Sequence, residues 1–166
     1  MAAEAARQFK LMFDITRILD PTTTRTHVEA QSRKRAIEVA SDLLAARHPG
    51  LSARALFDAL MNRERLGSTA LGEGVAIPHC RIECDHILGA FLHLDAPVDY
   101  DAPDGEPVDL MFVLVVPPEE SSAHLEVLAS LARLFQDPEN RRLLRRQESD
   151  GALYEELIGL VSSQAA

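Results

Sequence analysis

Cysteine is scarce in this 166-residue chain: there are two, Cys80 and Cys84, close together. So close a pair supplies no framework of cross-links, and the scarcity fits a reducing compartment. Long apolar runs are missing too. The longest, Leu110 to Val116, falls far below the roughly 20 residues that a membrane-spanning helix needs. The opening Met-Ala-Ala-Glu-Ala-Ala-Arg-Gln lacks the charged-then-apolar order of a secretion signal, so a cytoplasmic location is expected, without membrane insertion. Basic charge is outnumbered: 17 Lys and Arg against 26 Asp and Glu leave a net charge of −9. Phosphate backbones are held mainly by Lys and Arg, so this balance argues against a general nucleic-acid binder. It suits a basic protein partner, whose encounter opposite charge speeds. Repeats and low-complexity tracts are absent. What is present, 46% hydrophobic and 26% charged residues, is the balance of one ordinary globular domain with its own core.

Turn and cap residues divide the chain into helices around a block of strands. Ser32 is placed to cap a helix reaching about Ala46, with Ile37, Ala40, Leu43 and Leu44 inward, and His48-Pro49-Gly50 ends it. Ser52 caps a second, to about Glu64, with Ala55, Leu56, Ala59 and Leu60 inward. Leu88 to Leu94, Val108 to Val116 and the shorter Val75-Ala76-Ile77 read as strands, Val108 to Val116 apolar enough to be buried on both faces. Asp20-Pro21-Thr22-Thr23-Thr24, Ala96-Pro97 and Ala102-Pro103-Asp104-Gly105 read as turns or loops. After Pro117-Pro118, Ser121 or Ser122 caps a helix that buries Leu125, Leu128, Leu131, Ala132 and Phe135. Asp137-Pro138 opens another, and Asp150 to about Leu160 forms the last, with Leu153, Leu157 and Leu160 on one side. Helices before and after a strand block predict an α/β layer with helices on the sheet faces. The expected division is a lead over residues 1–12, one domain over 13–161 and a tail over 162–166.

The most informative stretch is Arg-Glu-Arg-Leu-Gly-Ser-Thr-Ala-Leu-Gly-Glu-Gly-Val-Ala-Ile-Pro-His-Cys-Arg, Arg63 to Arg81. Pro78 fixes its own φ and pushes Ile77 toward an extended conformation, so His79 is presented stiffly at the end of a short apolar run. A neutral imidazole is a good nucleophile near pH 7. His124 follows Ser122 at an expected helix start, where backbone N–H groups and the helix dipole favour an anion by roughly 0.3–1 kcal/mol. Arg63 and Arg65 are equally good anion clamps from charge alone, since a guanidinium fork fits phosphate oxygens bidentately. Ser68 and Thr69 are candidate hydrogen-bonding hydroxyls, or ordinary loop residues. His79, Cys80, Cys84 and His86 can be written as a metal cluster, but their spacing matches no zinc-finger or ribbon pattern, and no metal is expected. Cys80 as a nucleophile beside His79 is disfavoured, because neighbours on an extended chain point opposite ways. His27, His48, His86 and His93 read as surface or structural residues, and the Arg141, Arg142, Arg145, Arg146 set as a solvated helix face.

The Gly-Ser-Thr…Ala-Ile-Pro-His string resembles the active-site signature of the mannitol/fructose-type IIA proteins of the bacterial phosphotransferase system, in particular their nitrogen-regulatory IIA branch. Ala30 to Ala36 resembles that family's entry to its first long helix, Pro107 to Pro117 its central strand, and Ser122-Ala123-His124-Leu125 the place of its second histidine. The likeness runs from about Phe13 to Leu160; Cys80 departs from it, standing where glycine is common. The resemblance implies a mixed central sheet flanked by helices on both faces. It implies that Nε2 of His79 accepts a phosphoryl group, with Arg63 as the anion clamp and His124 as a stabiliser; Ser68, Thr69 and Ser122 join as candidate binding residues. No cofactor is implied. The implied donor is a histidine-containing phosphocarrier protein of the nitrogen branch, and the implied targets are regulated proteins such as potassium-transport or sensor-kinase proteins. Two rivals are a sugar-specific IIA subunit handing phosphate to a IIB protein for fructose or mannitol uptake, and a regulatory binding module that takes no phosphate.

Overall fold

Local signals set most of the helix ends in the computed structural model, which describes residues 14–119 and 122–165. In chain order the elements are α1 (Ile15–Ile18), β1 (Leu19–Val28), α2 (Arg33–Arg47), α3 (Ala53–Arg65), β2 (Ala70–Gly72), β3 (Val75–Ala76), β4 (His79–Arg81), β5 (Leu88–Val98), β6 (Val108–Val116), α4 (Ala123–Gln136), α5 (Pro138–Arg145) and α6 (Asp150–Ala165). Ser32 caps α2 by accepting from the Arg35 amide, and Ser52 caps α3 by accepting from Ala55. Asp137 caps α5 from just before Pro138, accepting from Glu139. The lead expected over residues 1–12 and the Ser121 capping alternative lie outside the described residues.

The strands form one sheet in the order β1-β5-β6-β3-β2, with β4 also paired to β6. β1 runs parallel to β5, β5 antiparallel to β6, and β3 and β4 parallel to β6. Strand β6 is the spine, as its run of apolar residues demands. Met111, Val113 and Val115 point into a core covered by α2 and α3, while Leu110, Phe112, Leu114 and Val116 point into a second core covered by α1, α4 and α6. The fold is thus a single α/β domain, a mixed sheet with helices on both faces. Among the described residues no helix is long and apolar enough to cross a membrane.

Several local expectations change. Asp20 to Thr24 belongs to strand β1 and Ala96-Pro97 to strand β5, not to loops or turns. At the sheet's edge Pro21 costs no ladder bond, and the register steps from Leu19↔Gly89 to Thr24↔Phe91 across a bulge that takes up the turn-like residues. Ala55 is exposed and Glu64 buried on α3. The inward stripe of α4 is Val127, Ser130, Leu131, Leu134 and Phe135, leaving Leu125 58% exposed. Ser130 tolerates burial because its hydroxyl and carbonyl both pair with the Gln164 amide (3.2 and 3.1 Å). That pairing also shows that α6 continues past Leu160, and its inward row is Leu153, Leu157 and Val161. Finally, Arg141 is buried, donating to the Phe135 and Gln136 carbonyls, and so is no solvated surface charge.

Candidate functional site

His79 opens β4 directly after Pro78, and the alternation of the strand decides where its neighbours go. Cys80 turns into the core beneath α2 and α3; His79, half-buried, and Arg81, exposed, share the other side. Pairing of His79 with Leu114 and of Arg81 with Val116 places them at the carboxyl end of β6, where the chain leaves for α4. In open α/β sheets the carboxyl ends of strands are where ligands gather.

Nδ1 of His79 lies 2.9 Å from the carbonyl oxygen of Ile77. A carbonyl only accepts, so Nδ1 carries the hydrogen and Nε2 the lone pair. Two residues on, the Arg81 guanidinium donates through Nη1 to the carbonyls of Pro117 (3.4 Å) and Pro118 (3.1 Å), and its Nη2 lies 3.3 Å from Nε2 of His124. A guanidinium only donates, so this ring nitrogen of His124 is the acceptor. His124 sits half-buried in the first turn of α4, two residues after the N-cap Ser122, whose side chain makes no capping bond. The Ser122 carbonyl instead receives the Leu125 amide at 3.1 Å.

Arg63, in the last turn of α3, donates to the Gly67 carbonyl at 2.8 Å and pins the start of the following loop, and α3 packs against β4. Arg65 turns to Asn62. Ser68 and Thr69 both reach back into the fold. The Ser68 hydroxyl donates to the Tyr100 carbonyl at 2.6 Å and accepts from the Ala70 amide at 3.2 Å. The Thr69 hydroxyl donates to the Glu64 carboxylate, which also receives the Thr69 amide at 3.2 Å and the Tyr100 hydroxyl at 3.0 Å. Arg33 completes the cluster, 3.7 Å from Glu64 and over the Tyr100 ring at 5.3 Å. Burial, helped by the Glu64 charge, pushes the Tyr100 phenol far above its ordinary value, so it remains a donor.

The residues of this cluster escaped sequence reasoning, though a signal existed. Leu56, Leu60 and Glu64 follow one another at intervals of four, so Glu64 lies on the helix stripe that faces the core. The loop it supports is tied to the site strand as well, since the Ile77 amide donates to the Thr69 carbonyl at 3.1 Å.

Burial, with the nearby Cys84 adding to it, pushes the Cys80 thiol up to about 12, a neutral group at physiological pH. Cys84 donates to the His86 carbonyl at 3.3 Å. Among the described residues no three or more His, Cys, Asp or Glu side chains are arranged to hold a metal ion, so His79, Cys80, Cys84 and His86 do not assemble.

A protein-family model described as phosphoenolpyruvate-dependent sugar phosphotransferase system, EIIA 2, matches residues 17–159. A nitrogen regulatory protein from Pseudomonas aeruginosa is 42% identical over 154 residues, spanning 92% of this chain and 100% of the relative. The crystal structure of nitrogen regulatory protein IIA-Ntr from Neisseria meningitidis matches with a TM-score of 0.78 at 40% identity, over 89% of this chain and 98% of that one. IIA mannitol from Escherichia coli, 20% identical, shares the fold with a TM-score of 0.64 over 81% and 92% of the two chains.

Proposed function

Because the chain belongs to the EIIA 2 family of the phosphoenolpyruvate-dependent sugar phosphotransferase system, we propose that it is a phosphoryl carrier of the nitrogen-regulatory kind, with Nε2 of His79 as acceptor. One observation carries the reading: the 2.9 Å bond from Nδ1–H to the Ile77 carbonyl, which leaves the lone pair on the other nitrogen. That lone pair attacks the phosphorus of a phosphohistidine on a histidine-containing phosphocarrier protein. The donor's N–P bond breaks as the new one forms, and its electron pair returns to the donor imidazole. His79 has no proton to lose at Nε2, and the Ile77 carbonyl stabilises the positive charge that spreads toward Nδ1–H.

Charge on the moving group is offset by fixed donors, the main lever in phosphoryl transfer. The opening amides of α4 supply one side, with Ser122 at the cap and His124 as stabiliser through Nδ1–H, its Nε2 being an acceptor; Arg63 supplies the other from the end of α3. Ser68 and Thr69 act one step back, holding the loop through Tyr100 and Glu64. Relatives of about 40% identity are nitrogen regulatory proteins, which supports cytoplasmic regulation of partner proteins, with potassium-transport or sensor-kinase proteins as the targets to try.

The test is incubation with a phosphorylated nitrogen-branch phosphocarrier protein. Acid-labile phosphate is expected on the wild type and none on His79→Ala, and Arg63→Ala is expected to slow uptake about tenfold or more without unfolding the protein. Equal labelling of His79→Ala overturns the acceptor assignment. A wild type that takes no phosphate is a binding module, and onward transfer to a purified fructose or mannitol IIB protein makes it a sugar-specific subunit.

A further inference from the structure

Arg81 stands beside the proposed acceptor yet is engaged elsewhere. On a strand, residues two apart lie on one side with about 6–7 Å between them, a gap that an arginine side chain spans. In this structure its guanidinium holds the Pro117 and Pro118 carbonyls and Nε2 of His124 at 3.1–3.4 Å. These acceptors are neutral. A phosphoryl group carries close to two negative charges and three acceptor oxygens, and it pairs with a guanidinium fork bidentately and at shorter range. Charge-assisted bonds are roughly twice as strong as neutral ones, so these three neutral acceptors are weaker partners than such a group.

We propose that Arg81 is a further anion ligand of the phosphoryl group on His79, and that it reaches that group by leaving His124 and the Pro117 and Pro118 carbonyls. The inference rests on His79 being the acceptor and adds a residue to that site. It has a consequence at a distance. Arg81 ties β4 to Pro117 and Pro118 after β6, and its departure removes that tie and ends its contact with Nε2 of His124. The loaded and unloaded forms then differ at residues 117–119 and at the first turn of α4, on the surface beside the acceptor. A partner able to read that difference distinguishes the two forms without touching the phosphoryl group.

The full chain carrying 15N-labelled histidine is followed by NMR before and after loading by the phosphorylated nitrogen-branch phosphocarrier protein. On loading, the His124 Nε2 resonance is expected to move further in the wild type, which loses the Arg81 contact, than in Arg81→Gln, which lacks that contact from the start. Arg81→Gln is expected to take up phosphoryl at least about tenfold more slowly, and Arg81→Lys, which keeps the charge and loses the fork, to recover part of the rate. A wild type that loads while its His124 Nε2 resonance stays put overturns the proposal. So does an Arg81→Gln variant that loads as fast as the wild type. If the wild type takes no phosphoryl group at all, the failure lies with the carrier reading, and the role of Arg81 falls with it.

Discussion

At His79 the two ring nitrogens are unequal before any partner arrives, because one already faces a carbonyl 2.9 Å away. The residue beside it is the opposite case. Cys80 shares the same short strand, but its side chain enters the core and its thiol is pushed up to about 12. At pH 8 such a thiol is ionised in about one molecule in ten thousand. A brief iodoacetamide pulse on the folded protein, followed by peptide mass spectrometry, is therefore expected to mark the half-exposed Cys84 and to leave Cys80 unmarked until the chain is unfolded. Equal marking of the two would contradict the inward orientation of Cys80, and with it the outward orientation of His79 and Arg81. That His79 follows a residue of fixed φ was legible in Pro78 alone. The contacts of Arg81 were not, since these partners lie some 40 residues further along the chain.

Among the elements, the β2–β3 turn is tightly constrained. Gly74 has φ +81°, and a Cβ there would come within 2.5 Å of the Arg145 guanidinium and 3.0 Å of the Asp109 carboxylate. Its carbonyl also receives the Asp109 and Leu110 amides, each at 3.0 Å, which anchors the turn to β6. Gly74→Ala is expected to cost about 1–3 kcal/mol, read as a lower urea midpoint; a midpoint equal to wild type would show that the turn relaxes freely. Helix starts were readable beforehand because a cap is a local event: one side-chain oxygen, one amide, three residues apart, as at Ser32 and Ser52. Strand β1 was not readable. Its Asp-Pro-Thr start looks like a turn, and only the pairing with β5, some 65–70 residues away in sequence, makes it an edge strand with a bulge. The α4 stripe slipped for a related reason: Ser130 looks like a surface residue until Gln164 is brought against it.

For the whole molecule, composition and the placing of helices around the strands were enough for the α/β class, while strand order depends on long-range packing that no window of sequence contains. One such long-range contact governs acid stability. Asp109 on β6 meets His93 of β5 at 3.3 Å and the Arg145 guanidinium of α5 at 2.9 Å, and Arg145 also donates to the Glu73 carbonyl at 2.7 Å. Burial on its own would raise the Asp109 carboxyl, but the bonds from His93 and Arg145 outweigh it, and the group sits below its ordinary 3.8. The unfolded chain therefore takes up this proton at higher pH than the folded one. The stabilisation is complete above the ordinary value and drains away as pH falls through the lowered one. Urea midpoints measured from about pH 6 down to about pH 3 are expected to fall more steeply for wild type than for Asp109→Asn; parallel curves would remove Asp109 as a source of acid sensitivity. The Ile77 carbonyl has a different kind of consequence. Being main chain, it does not depend on which side chain stands at position 77 so long as the strand keeps its course, so the proton arrangement of the neighbouring imidazole is inherited through chain geometry.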